Sequence, residues 1–158
     1  MAPARRGADA QAQPVSVALD ANILLYAANA DDERNERAQQ ALFELAAGPE
    51  VVYLFWPVVM AFLRIATRAS IFPHPLSPAD ALARVDSLLN RDHVFSPGED
   101  DRFWDAFNEL ATEQRARGDL LSDVHIVALM RRHGVRTIIT ADRDFRRFDG
   151  IEARNPFG

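Results

Sequence analysis

The sequence predicts an α/β domain of three layers, helices on both faces of a mainly parallel sheet. Three observations predict it. Short apolar runs rich in β-branched residues alternate along the chain with longer amphipathic stretches, the pattern of strand and crossover helix. A length of 158 residues gives one core and not two. Hydrophobic residues at 48% and charged residues at 26% are ordinary globular values, which argue against disorder and a membrane bundle.

Each element follows from local chemistry. Residues 1–14 are rich in Ala, Gln and Arg and lack the apolar core of a signal peptide, so they are expected to form a flexible tail ahead of a domain over residues 15–158. Val15 to Leu19 reads as a buried strand ending at Asp20. A helix follows from Asn22 to Ala30, and a second from Asp31 to Ala47, with Ala38, Ala41, Leu42 and Leu45 on one face and Gly48-Pro49 as its stop. Val51 to Trp56 is a second strand. Pro57 suits the first turn of a helix continuing from Val58 to Ala69. Pro73, Pro75 and Pro78 mark a loop before a helix that begins at Ser77 or Pro78 and runs to Asn90.

A brief strand at His93 to Phe95 precedes an acidic-headed helix from Glu99 to Arg115, whose first-turn carboxylates suit the helix dipole. Gly118 breaks it. Leu120 to His133 is apolar on most faces and reads as a buried helix, closed by Gly134. Val135 to Thr140 is a strand, and Asp142 to Phe148 a short helical turn. No internal repeat is visible.

All 18 basic side chains are Arg, with no Lys, against 15 Asp and 8 Glu, a formal charge of −5. A globally basic nucleic-acid surface is excluded, though a local Arg patch is not. Walker-lysine, Schiff-base and lysine-assisted aspartyl-phosphate chemistry all need an ammonium that is missing. With no Cys there is no disulfide, thiolate metal site or cysteine nucleophile. No apolar run is long enough to span a bilayer, and a cytoplasmic protein is expected.

The alternation also gathers the acids. Carboxyl ends of parallel strands and amino ends of the following helices share one edge of the sheet. Asp20 ends the first strand, Asp142 and Asp144 follow the strand at Thr137 to Thr140, and Asp119 and Asp123 open the helix after Gly118. Each acid alone could be a helix cap. Several arriving at one edge repel one another and call for a cation, and carboxylate oxygens without His or Cys suit Mg²⁺ or Mn²⁺.

Among the His residues only His125 lies near these acids, and the four form no ligand pattern. Arg64 and Arg68 on the third helix, with Arg143, Arg146 and Arg147 beside Asp142, could bind phosphates, although a solvated surface Arg is the commoner case. Phe145 and Phe148 read as packing residues rather than base-stacking ones.

Three segments together resemble PIN-domain ribonucleases, especially the VapC-type toxins of toxin–antitoxin pairs: Val17-Ala18-Leu19-Asp20-Ala21-Asn22, Leu121-Ser122-Asp123-Val124-His125-Ile126, and Thr140-Ala141-Asp142-Arg143-Asp144-Phe145. The resemblance covers about residues 15 to 157. It implies an α/β/α PIN-like fold, Mg²⁺-dependent (or Mn²⁺-dependent) cleavage of RNA, homodimers, and inhibition by a small cognate antitoxin. By motif match Asp20, Asp123 and Asp142 would be the catalytic metal ligands. Asn22 would orient the first of them, Thr140 would support the last, and Asp144 or Asp119 would assist. Arg64, Arg68 and Arg143 would meet RNA phosphates.

One position departs from the family pattern. A Glu is expected directly before Phe62-Leu63-Arg64, and the chain has Ala61 there, on the same helical stripe as Arg64 and Arg68. Natural loss and a deliberate inactivating replacement would both leave Ala, and either would weaken metal binding or water activation. Two other functions fit the residues: a PIN nuclease of RNA maturation without an antitoxin, and a non-catalytic module whose acidic cleft binds an Arg-bearing peptide.

Overall fold

The computed structural model describes residues 15–158, so the expected tail at 1–14 lies outside the described residues. The chain runs β1 (Ser16–Leu19), α1 (Ala21–Ala28), α2 (Asn35–Ala47), β2 (Val51–Tyr53), α3 (Trp56–Ala66), α4 (Pro78–Leu89), β3 (Val94–Phe95), α5 (Phe103–Glu113), α6 (Leu120–Arg132), β4 (Thr137–Ile139), a 3₁₀ turn at Arg143–Arg147 and β5 (Glu152–Arg154). The five strands form one sheet in the order β3-β2-β1-β4-β5, and every pair is parallel. The expected α/β layering with a parallel sheet is what the protein adopts.

The strand order explains where a site can form. From β1 the chain builds outward through β2 and β3, then returns to the other side for β4 and β5. The reversal falls between β1 and β4, and in an open parallel sheet the crevice at that switch point opens beyond the carboxyl ends of the strands. Val17, Ala18 and Leu19 of β1 and Ile138 of β4 are almost wholly buried, as their uninterrupted apolar runs require. Ile23, Val58, Phe62, Val124, Val127 and Leu129 join them from α1, α3 and α6. Phe145 and Phe148 are buried too, with ring centroids 6.3 Å apart, so their role is packing.

Several boundaries differ from expectation, among them the third helix, which ends at Ala66 rather than Ala69, and three differ for clear local reasons. α2 starts at Asn35 rather than Asp31, because the Asp32 side chain accepts from the Arg34 backbone N–H at 2.8 Å and holds a turn there. β2 stops at Tyr53, and Trp56 with Pro57 already forms the first turn of α3. α5 starts at Phe103, since the acids expected to head it reach across to α6 instead: Glu99 bonds His125 at 2.7 Å and Asp100 pairs with Arg132. β5 was not expected at all. Its three residues, Glu-Ala-Arg, carry one small apolar side chain and give almost no periodic signal.

Candidate active site

Asp20 leaves β1 in extended conformation and caps α1, its Oδ1 accepting from the Ala21 N–H at 2.8 Å. Its other oxygen is held from the neighbouring strand. Thr140 Oγ1, just past β4, donates to Asp20 Oδ2 at 2.6 Å, and Asn22 Nδ2 donates to the same oxygen at 3.2 Å. Asn22 Nδ2 also approaches Thr140 Oγ1 at 3.2 Å, and its Oδ1 accepts from the Ala141 N–H at 3.4 Å. The Asp142 N–H donates to Thr140 Oγ1 at 3.0 Å. Asn22 and Thr140 thus tie the ends of β1 and β4 together through the Asp20 carboxylate.

The other acids close around this pair of strand ends. Asp123 stands in the first turn of α6. Asp142 caps the 3₁₀ turn by accepting from the Asp144 N–H at 2.9 Å. Asp123, Asp142 and Asp144 can each bring a carboxylate oxygen within 4.8 Å of the others. Asp144 thus enters the tight group, whereas Asp20 stands beside it with one oxygen already bonded to Thr140 and Asn22. Asp119 is exposed at the N-cap position of α6, makes no capping bond, and adds negative charge to the neighbourhood of Asp123.

The electrostatic strain is concentrated on Asp123. Burial, with the charges of Asp142, Asp20, Asp144 and Asp119, pushes its carboxyl up to about 7 from an ordinary 3.8. Asp20 is also raised, mainly by burial at 8% exposure and further by the Asp142 charge, against the opposing bonds from Thr140 and Ala21. A site that strains its own anions in this way favours a divalent cation. The donors are all carboxylate oxygens, which suits a hard ion such as Mg²⁺ or Mn²⁺.

Beside the acids lies a cavity of about 350 Å³ lined by Asp20, Asp123, Ala61, Arg64, Ser122 and His125, among others. Ala61 and Arg64 line it from α3, and Asp20, Ser122 and Asp123 line it from the ends of β1 and α6. Arg68 lies past the end of α3, exposed and outside the cavity lining. Arg143 is exposed and, with Asp142, lines a separate shallow notch. The cavity also draws in a group that the sequence did not single out. Glu99 holds His125 Nε2 at 2.7 Å, and its carboxyl is lowered chiefly by that bond. His125 follows Asp123 closely in sequence, but nothing in the sequence pairs it with Glu99.

The chain matches the PIN domain family over residues 17–151. It belongs to the PIN-domain family. Ribonuclease VapC48 of Mycobacterium tuberculosis is 38% identical over 143 residues, which cover 90% of this chain and 99% of the relative. Among solved structures, the fold is similar to VapC20 of the same organism, a Sarcin-Ricin loop cleaving toxin, with a TM-score of 0.63 at 21% identity, covering 87% of this chain and 98% of that one. It is also similar to a toxin-antitoxin complex from Klebsiella pneumoniae, with a TM-score of 0.60 at 18% identity, covering 89% of this chain and 97% of that one. In this PIN domain Asp20 and Asp123 share their cavity with Ala61, and Asp20 lies at the carboxyl end of β1, where the sheet order reverses.

Proposed function

We propose that this PIN domain is a Mg²⁺- or Mn²⁺-dependent endoribonuclease, the toxin of a toxin–antitoxin pair, whose activity in this chain is lowered by Ala61. The observation that carries the reading is the convergence of Asp123, Asp142 and Asp144 into one carboxylate group, with Asp20 close enough to add its charge, beside a cavity that Asp20 and Asp123 share with Arg64. Asp20, Asp123 and Asp142 would hold the cation, with Asp144 and Asp119 in support. Bound there, the cation supplies Lewis-acid polarisation of the phosphodiester, a more acidic water and neutralisation of developing charge.

The chain's own groups do the rest. Thr140 and Asn22 fix the Asp20 carboxylate in one orientation, so little reorganisation is needed when substrate arrives. Arg64, which lines the same cavity as Asp20 and Asp123, presents guanidinium donors to the phosphate oxygens, while the exposed Arg143 and Arg68 meet further phosphates. Ala61 offers only a methyl group to that cavity, where a Glu would add a carboxylate to orient water and accept its proton.

Similarity to Ribonuclease VapC48 supports RNA as the substrate, and similarity to a toxin-antitoxin complex supports a small antitoxin partner. A homodimer acting in the cytoplasm completes the proposal. Among the described residues no helix is long and apolar enough to cross a membrane.

The test is cleavage of RNA by this chain and by Ala61→Glu, each with Mg²⁺ and with chelator. Ala61→Glu should cut RNA only with the cation, faster than the present chain by about 10²-fold, the usual worth of a positioned proton acceptor. A restored protein that cuts no RNA with Mg²⁺ would refute the reading.

A further inference from the structure

The 3₁₀ turn after Asp142 helps to form a shallow notch that shares no lining residue with the Arg64 cavity. Thr140, Asp142, Arg143, Arg146, Ala153 and Asn155 line it. Arg143 and Arg146 are both exposed, and among the described residues neither has a carboxylate within ion-pairing distance. Several other arginines are occupied: Arg34 with Asp32, Arg132 with Asp100, Arg154 with Glu50, and Arg147 with Gln114. Asn155 accepts from the Phe157 N–H through Oδ1 at 2.9 Å, which fixes its side chain and leaves the amide N–H₂ as a donor.

The notch is rigidly coupled to the carboxylates. Thr140 forms one of its walls while bonding Asp20 and receiving the Asp142 N–H, so an anion in the notch would sit at a fixed offset from the acids. Two guanidinium groups and an amide beside a shallow floor suit a single phosphate with exposed neighbours better than an enclosed small molecule. Ala153 keeps the floor open by adding only a methyl group.

Resting on the nuclease reading above, we propose that Arg146, with Arg143 and Asn155, forms a subsite for a backbone phosphate of RNA next to the one cut. Arg64 and this subsite then grip the strand at two separate points beside the acidic cluster. A single strand drawn across like charges is held by its flanking phosphates, and the contact to Arg146 carries register rather than base sequence.

The test measures binding of a short single-stranded oligoribonucleotide to the full chain as it stands, by fluorescence anisotropy over a range of salt, in chelator and again with Mg²⁺. Arg146→Ala should reduce the slope of log affinity against log salt by about 0.7, the contribution of one phosphate contact on a single strand. Arg136→Ala, at the opposite edge of the sheet just before β4, should leave the slope unchanged. Replacing backbone phosphates one at a time with neutral methylphosphonates should identify one position that weakens binding to the parent chain but not to Arg146→Ala. Binding with the parent slope in Arg146→Ala would overturn the subsite while leaving the nuclease reading intact. Failure of the parent chain to bind RNA in either condition would overturn both. A slope reduced by about 0.7 in Arg146→Ala, without cleavage by Ala61→Glu, would keep Arg146 as an RNA phosphate contact while refuting the nuclease and the placing of that contact beside a cut.

Discussion

Replacing Asp123 by Asn should stabilise the metal-free protein, and increasingly so as pH rises from about 4 to about 7. The fold raises the Asp123 carboxyl from 3.8 to about 7, first through burial and then through its acidic neighbours. Between those values the folded state holds a proton that the unfolded state has released, so stability falls as pH rises through the window. Above about 7 the whole cost is present, and below about 4 it vanishes. The gap corresponds to about 4 kcal/mol at about 1.4 kcal/mol per tenfold, and solvent screening at this half-exposed cluster reduces that to roughly 1–2 kcal/mol. Asn keeps the shape and removes the charge. Urea denaturation in chelator should therefore show Asp123→Asn more stable than the parent by roughly 1–2 kcal/mol at about pH 8, with a smaller difference at about pH 5. Equal differences at the two pH values, or a less stable variant at the higher one, would refute the electrostatic account of the site.

Other outcomes follow from the same geometry. Mg²⁺ or Mn²⁺ should raise the melting temperature of the parent chain by mass action on the folded state, and Asp142→Asn should lose most of that rise; melting curves with and without cation check it. Thr140→Val removes the 2.6 Å bond to the Asp20 carboxylate and should cost about 1–3 kcal/mol in denaturant unfolding while also weakening the cation response. Phe62→Ala removes a wholly buried core side chain of α3 and should cost about 3–5 kcal/mol, read by the same unfolding experiment.

Much of this arrangement is legible in the chain because the strongest signals are local. Val17 to Leu19 reads as a buried strand since both faces of a central parallel strand are covered, and Asp20 follows at its carboxyl end by sequence adjacency alone. Once the alternation of strand and helix is recognised, Asp123 and Asp142 fall at the same edge. What is not legible depends on contacts between distant elements. The start of α5 is set by Glu99 reaching His125 and Asp100 reaching Arg132, so residues that look like a helix head serve as cross-links. The drawing of Asp144 into the tight carboxylate group depends on the 3₁₀ turn, whose hydrogen bond from the Asp144 N–H to Asp142 is too short-range to leave a periodic signature. β5 is an edge strand whose pairing, Ile139 opposite Arg154, is decided by β4 rather than by its own composition.

The most direct test of the central claim is a crystal structure grown or soaked with Mn²⁺, in which anomalous scattering locates the ion without reference to activity. The account predicts a Mn²⁺ peak at the carboxyl edge of β1 and β4, coordinated by oxygens of Asp20, Asp123 and Asp142. A peak elsewhere on the protein, or none at this edge at saturating Mn²⁺, would contradict it.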